Sequence, residues 1–139
     1  MRHLLHPSRF VGPAALALLI LGAASARAGD TTPAAELARF QAEAGAAAAA
    51  ARGQAFFTAQ HGGRWSCASC HGQSPTVAGR HAATGKPIEP LAPSAQPDRF
   101  TDRAKVDKWF RRNCKDVLAR ACTAAEKADV IAWLMELPR

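Results

Sequence analysis

The pentapeptide Cys67-Ala68-Ser69-Cys70-His71 constrains this chain more than any other feature it contains. Two thiols three positions apart, followed at once by an imidazole, form the attachment pattern for haem c. The thiols add to the porphyrin vinyl groups, and the histidine supplies an axial ligand to iron. On this reading Cys67 and Cys70 become thioethers and His71 is the proximal ligand from the same turn of chain. Two other uses of the motif fit less well. A thioredoxin-like redox pair needs a βαβ setting, and no alternating strand pattern stands out here. A zinc site would recruit Cys114 and Cys122, whose spacing of eight does not resemble the short second pair of a zinc ribbon.

Export is the second expectation. Residues 2 to 9 carry Arg2 and Arg9 without an acid, residues 10 to 23 are apolar, and Ala26-Arg27-Ala28 fits a small-x-small cleavage site. We read residues 1–28 as a signal peptide and residues 29–139 as one monohaem cytochrome c domain in the periplasm. An uncleaved anchor is the rival, but the apolar run is short of the roughly 20 residues that span a bilayer and Pro13 interrupts it. No membrane span is expected in the mature form. The leader holds three arginines and no acid, so the net charge of +7 falls to +4 in the mature part. Only Arg111 and Arg112 adjoin there among mixed charges, so nucleic acid is not an expected partner. A weak basic face for an acidic redox partner fits that balance.

The rest reads as all-α. Thr32 and Pro33 are expected to start a helix holding Leu37 and Phe40, and Gly45 to end it. A second helix is expected to run through the alanine tract 46 to 51 into Phe56-Phe57 and to stop before Gly62-Gly63. Five prolines between Pro75 and Pro97 predict a wrapping loop without regular structure. Thr101 is expected to open a helix over about 102–113, with Val106, Trp109, Phe110 and Asn113 along one side. Thr123 and Glu126 form a capping box ahead of Val130, Ile131, Leu134 and Leu137 on one stripe.

The sixth iron ligand decides what such a haem does. Electron carriers usually use Met or His, but Met1 leaves with the leader and Met135 reads as core filler. That leaves His61, His81, a lysine, Asn113 or no ligand at all. His61 reads as a surface residue, the lysines as solvated charges, and His81 sits on the loop that could cross the distal face. With Cys67 and Cys70 committed to haem, Cys114 and Cys122 are the thiols left to form a disulfide in an oxidising compartment. That bridge would clamp the chain beside Asn113.

Several segments carry a closer likeness. Gly85-Lys86, Leu91-Ala-Pro-Ser94, Pro97-Asp-Arg-Phe-Thr-Asp102, Arg112-Asn113-Cys114, Glu126-Lys-Ala-Asp129 and Ala132-Trp-Leu134 resemble the high-spin cytochrome family named sphaeroides haem protein. The likeness spans nearly all of the mature chain. It implies a class I cytochrome c fold, with helices around one covalent haem c, and an asparagine sixth ligand matching Asn113. It also implies a disulfide matching Cys114 to Cys122, a ligand that leaves on reduction to admit oxygen, nitric oxide or carbon monoxide, and a dihaem cytochrome c as electron donor. The long alanine tract and His81 depart from the family pattern. An amide oxygen is a hard, weak ligand that favours ferric over ferrous iron, which agrees with detachment on reduction. Trp109, Phe110 and the proline loop are then expected to wall the haem. The rivals are a plain electron carrier ligated by His81 and an oxidoreductase that turns over oxygen or nitric oxide.

Overall fold

A computed structural model describes residues 29–138, so the reading of residues 1–28 as a signal peptide lies outside the described residues. Five helices follow in the order α1 (Pro33–Ala44), α2 (Ala50–Thr58), α3 (Ala68–His71), α4 (Arg103–Leu118) and α5 (Ala124–Glu136). The expected all-α class holds.

Local chemistry sets most of the helix ends. The Thr32 hydroxyl accepts the Ala35 N–H, Pro33 opens α1, and Gly45 at φ 64° ends it, its N–H reaching the carbonyls of Ala42 and Gln41. Thr123 and Glu126 form the expected reciprocal cap on α5. The alanine tract corrects one expectation, because α2 begins only at Ala50. Gly45 turns the chain, and acceptors elsewhere take the N–H groups that a helix would use. Gln41 Oε1 accepts from Ala48 at 2.9 Å, and Asp129 Oδ1 accepts from Ala49 at 2.6 Å. Tertiary partners thus override the high propensity of alanine. Helix α2 also stops at Thr58, ahead of the Gly62-Gly63 pair.

Helix α4 differs at both ends from the expected span. Asp102, not Thr101, caps it by accepting the Lys105 N–H at 2.9 Å, while the Thr101 hydroxyl donates to the Asp98 carbonyl. The helix runs on to Leu118 because Cys114 and Val117 continue its buried stripe, so Asn113 lies inside it rather than at its end. Met135 is 39% exposed and is not core filler. One step of about 100° beyond the fully buried Leu134 carries it off the apolar face. The proline loop holds a two-residue antiparallel ladder, β1 (Gly79–Arg80) with β2 (Pro87–Ile88), where no regular structure was expected.

Helix α5 lies against both α1 and α2. The crossing with α2 is close enough that a Cβ on Gly53 would sit 1.9 Å from the Asp129 carbonyl oxygen. Asp129 is itself buried, and its carboxylate takes two 2.8 Å hydrogen bonds from Arg52 besides the one from Ala49. Apolar side chains fill the space on either side. Phe57, Ala68, Val130, Trp133 and Leu134 form one cluster, and Phe40, Val106, Ala128 and Ile131 form another. Phe100 and Phe110 touch both clusters and so join α4 to the helix pair.

Glu36 ties the remaining pieces. Its side chain is fully buried, accepts from Thr31 at 2.8 Å, and is paired with Arg39 and Arg103. Burial opposes its ionisation, but the hydrogen bonds from Arg39, Thr31 and Arg103 outweigh that and hold its carboxyl below the usual 4.5.

Two outcomes follow from these contacts. Gly53→Ala should destabilise the fold by about 3 kcal/mol in urea titration, the upper range for overpacking, because the obstacle is backbone. Glu36 has a depressed pKa, so its contribution is complete above 4.5 and is lost as pH falls through its lower folded value. Glu36→Gln should therefore cost about 2 kcal/mol at pH 7 and flatten the loss of stability in the acid range below 4.5, read by circular dichroism.

Candidate haem site

The cysteine and histidine motif is a single helical turn with its own cap. Ser66 and Ser69 bond reciprocally: the Ser66 N–H donates to Ser69 Oγ at 2.9 Å, and the Ser69 N–H donates to Ser66 Oγ at 3.1 Å. The turn closes with the N–H groups of Cys70 and His71 on the Cys67 carbonyl and that of Gly72 on the Ala68 carbonyl. Gly72 at φ 77° then turns the chain away. Cys67, Cys70 and His71 therefore leave adjacent positions of one short helix. Cys67 and Cys70 are unbridged thiols, and burial pushes Cys67 up to about 11, so it stays protonated.

Strand β1 presses on the back of this turn. A Cβ on Gly79 would lie 2.2 Å from the Cys70 carbonyl oxygen, and the Ala82 N–H approaches Cys70 Sγ at 3.3 Å. On the other side, the Phe57 ring lies 6.1 Å from the His71 ring and 4.9 Å from that of Trp133, so α2 and α5 back the histidine. Burial, with the nearby Arg99 charge, lowers His71 to about 4. At neutral pH its ring is uncharged and has a lone pair for a metal.

Arg99 was not among the residues that the motif pointed to. Its guanidinium is part-buried and donates to the carbonyls of Pro90 at 2.7 Å and Glu89 at 3.0 Å, with no carboxylate bonded to it among the described residues. The Pro97-Asp-Arg-Phe-Thr-Asp102 segment was the available signal, but the segment alone gave no burial. Phe100, next to it, holds a left-handed φ of 61° while its ring touches both apolar clusters. Phe57 was legible only as an inward-packing aromatic, and Trp133 only as part of the Ala132-Trp-Leu134 likeness.

Helix α4 brings the remaining candidates. Phe110 packs against the cluster that holds Ala68 and borders Cys67. Asn113 is half-buried and follows Trp109 by one turn on the same side. Trp109 is 47% exposed, with Lys108 and Arg112 at 5.5 and 5.3 Å from its ring. Cys114 and Cys122 are bridged, with Cα atoms 5.6 Å apart, so the expected disulfide pairing is present. The bridge joins α4 to the start of α5 directly beside Asn113.

The two histidines in question are both occupied locally. His81 is exposed, and its Nδ1 accepts the N–H groups of Ala83 and Thr84 at 3.2 Å. His61 is half-buried rather than on the surface, with Nε2 2.8 Å from the Phe56 carbonyl and its ring on that of Phe56.

These residues suit a covalent haem. Two unbridged thiols precede a neutral histidine in one turn of chain, and the part-buried Arg99 guanidinium has no carboxylate hydrogen-bonded to it among the described residues. Among the described residues, no group of three or more metal-ligating side chains competes for a metal.

Known proteins resemble this chain in sequence and fold. Residues 43–134 match a family model described as a domain of unknown function, DUF1924. The chain is 55% identical over 116 residues to the cytochrome c-type protein SHP of Cereibacter sphaeroides, covering 81% of this chain and 89% of that protein. It aligns with the structure of oxidised SHP, described as an oxygen-binding cytochrome c, at TM-score 0.72 and 54% identity, over 76% of this chain and 97% of the other. Cytochrome c'' of Methylophilus methylotrophus is 43% identical over 79 residues, which covers 57% of this chain and 55% of that protein. Its solution structure, whose subject is haem-ligand detachment, aligns at TM-score 0.68 and 32% identity, over 77% of this chain and 94% of the other.

The approach of β1 to the motif gives a direct check. Gly79→Ala should force β1 off the Cys70 carbonyl, destabilise the protein by about 2 kcal/mol, and lower the yield of covalently attached haem measured by the pyridine haemochrome.

Proposed function

The chain belongs to the family of the cytochrome c-type protein SHP, class I-like cytochromes with a covalently bound haem c, and from that premise we propose a periplasmic ligand-binding cytochrome gated by reduction. Cys67 and Cys70 would hold the haem through thioethers, His71 would ligate its iron, and Asn113 would be the second, weaker ligand that reduction releases. The ferrous iron would then be open to oxygen, nitric oxide or carbon monoxide. Electrons come from a redox protein, a dihaem cytochrome c in the family likeness.

The observation that carries this reading is the setting of Asn113. It is a half-buried amide inside α4, next to a disulfide that fixes the end of its helix, and one turn from Trp109. When bound, the haem supplies a one-electron iron couple and an axial position for a small gas. The protein supplies the rest. Phe57 and Trp133 orient a neutral His71, Arg99 offers a partly desolvated cation for a propionate, and Phe110 helps to exclude water. Asn113 offers a carbonyl oxygen to ferric iron, and its N–H can donate to a bound gas once it has moved aside. The oxygen-binding description of SHP and the detachment theme of cytochrome c'' support the same pattern.

His81 serves less well as the sixth ligand, since two backbone N–H groups engage its ring in an exposed loop. Export fits the disulfide and the reading of residues 1–28. Among the described residues, no helix is long and apolar enough to cross a membrane.

Asn113→Ala tests the assignment. The ferric absorption spectrum should change, and imidazole should bind the oxidised variant at least about tenfold more tightly, because a competing ligand worth about 1.4 kcal/mol is gone. An unchanged ferric spectrum, or a change produced instead by His81→Ala, would show that the asparagine is not the ligand.

A further inference from the structure

Helix α4 carries most of its cations on one side. Around its exposed surface Arg111, Lys115, Lys108, Arg112 and Lys105 follow one another at helical spacing. Lys105 is paired with Asp102 at 3.2 Å; the other four have no carboxylate partner among the described residues. Of the two acids on the helix, Asp107 is turned to Arg39 at 2.8 Å, and Asp116 alone faces outward. The stripe therefore keeps a net positive charge, although the positive charge of the mature chain as a whole is modest.

Trp109 sits at the edge of this stripe with 47% of its surface exposed, so an indole expected to wall the haem on one face keeps its outer edge open. Lys108 and Arg112 lie within cation–π distance of the Trp109 ring, at 5.5 and 5.3 Å. Asn113 comes next around the helix, and Phe110 beyond it is anchored in both apolar clusters. A small anion would use the cations but has no use for an exposed indole. Tryptophan and arginine together are the residue types that dominate protein–protein contact energies. The indole also stands one turn from the proposed axial ligand, so a protein seated here is close to the redox centre.

We propose that the α4 face centred on Lys108, Trp109 and Arg112 is the docking surface for an acidic one-electron donor protein. This rests on the reading of the chain as a cytochrome reduced by a protein partner. In the step itself one electron passes from the donor, which is oxidised by one equivalent, to ferric iron, which becomes ferrous. No bond is made or broken in the transfer. The cations steer the acidic donor and orient it, and the indole supplies the desolvated centre of the contact.

The haem-loaded oxidised protein can be tested by stopped flow against flavodoxin hydroquinone, an acidic protein that gives up one electron to become its semiquinone, and against reduced lumiflavin, a small donor with no protein surface to dock. The second-order rate with flavodoxin should fall at least about tenfold on raising ionic strength. Lys108→Glu/Arg112→Glu should lower the low-salt rate by a similar factor, and Lys108→Gln/Arg112→Gln by less. Neither should alter reduction by lumiflavin or carbon monoxide binding to the reduced protein. A control of equal charge change at the β1 and β2 ladder, Arg80→Glu/Lys86→Glu, should lose much less. The proposal is overturned if flavodoxin does not reduce the protein while lumiflavin does, if the control slows as much as the α4 variant, or if the flavodoxin rate ignores both salt and the α4 charges. It is overturned equally if the α4 charges govern only binding to phosphatidylserine vesicles. Carbon monoxide binding reads the Asn113 gate separately, so failure of the docking surface and failure of the gate are told apart.

Discussion

A histidine that ligates haem iron must be an uncharged imidazole held at one angle, and the packing of α2 on α5 meets that need. Gly53 lets the helix backbones touch, and Asp129 secures the contact by taking hydrogen bonds from Arg52 and Ala49. That places Phe57 and Trp133 behind His71, where burial keeps the ring neutral at physiological pH. The motif itself is only one turn long and could not hold this orientation alone. Strand β1 closes the other side through the glycine approach to Cys70.

The helix that carries Asn113 is held differently. Helix α4 is tied down by Phe110 in the core, by the buried Glu36 network at its start and by the disulfide near its end. Anchoring of this kind suits the proposed gate, because the Asn113 side chain could move while its backbone keeps its place. The amide is also the right chemistry for such a gate, being a hard and weak donor that loses its hold as iron softens on reduction.

Much of this was legible in the sequence because it rests on local rules. The haem motif, the cap at Thr32, the Thr123 and Glu126 box, and the pairing of the last two cysteines all depend on residue type and short spacing. What escaped depends on distant partners. The alanine tract reads as helix until Asp129 and Gln41 claim its N–H groups. Helix α4 reads as ending at Asn113 until Cys114 and Val117 prove to be buried. Met135 reads as core by its neighbours, though its angle on α5 sends it outward. Arg99 is one arginine among many until its burial near His71 sets it apart.

The central claim is that Asn113 binds ferric iron and departs from ferrous iron. Crystal structures of the haem-loaded protein, one oxidised and one reduced in the same crystal form, address it most directly. The account predicts the Asn113 side-chain oxygen within bonding distance of iron in the oxidised crystal and rotated away, with an open axial position, in the reduced one. An axial bond from Asn113 that survives reduction, or His81 on iron in either state, would contradict it.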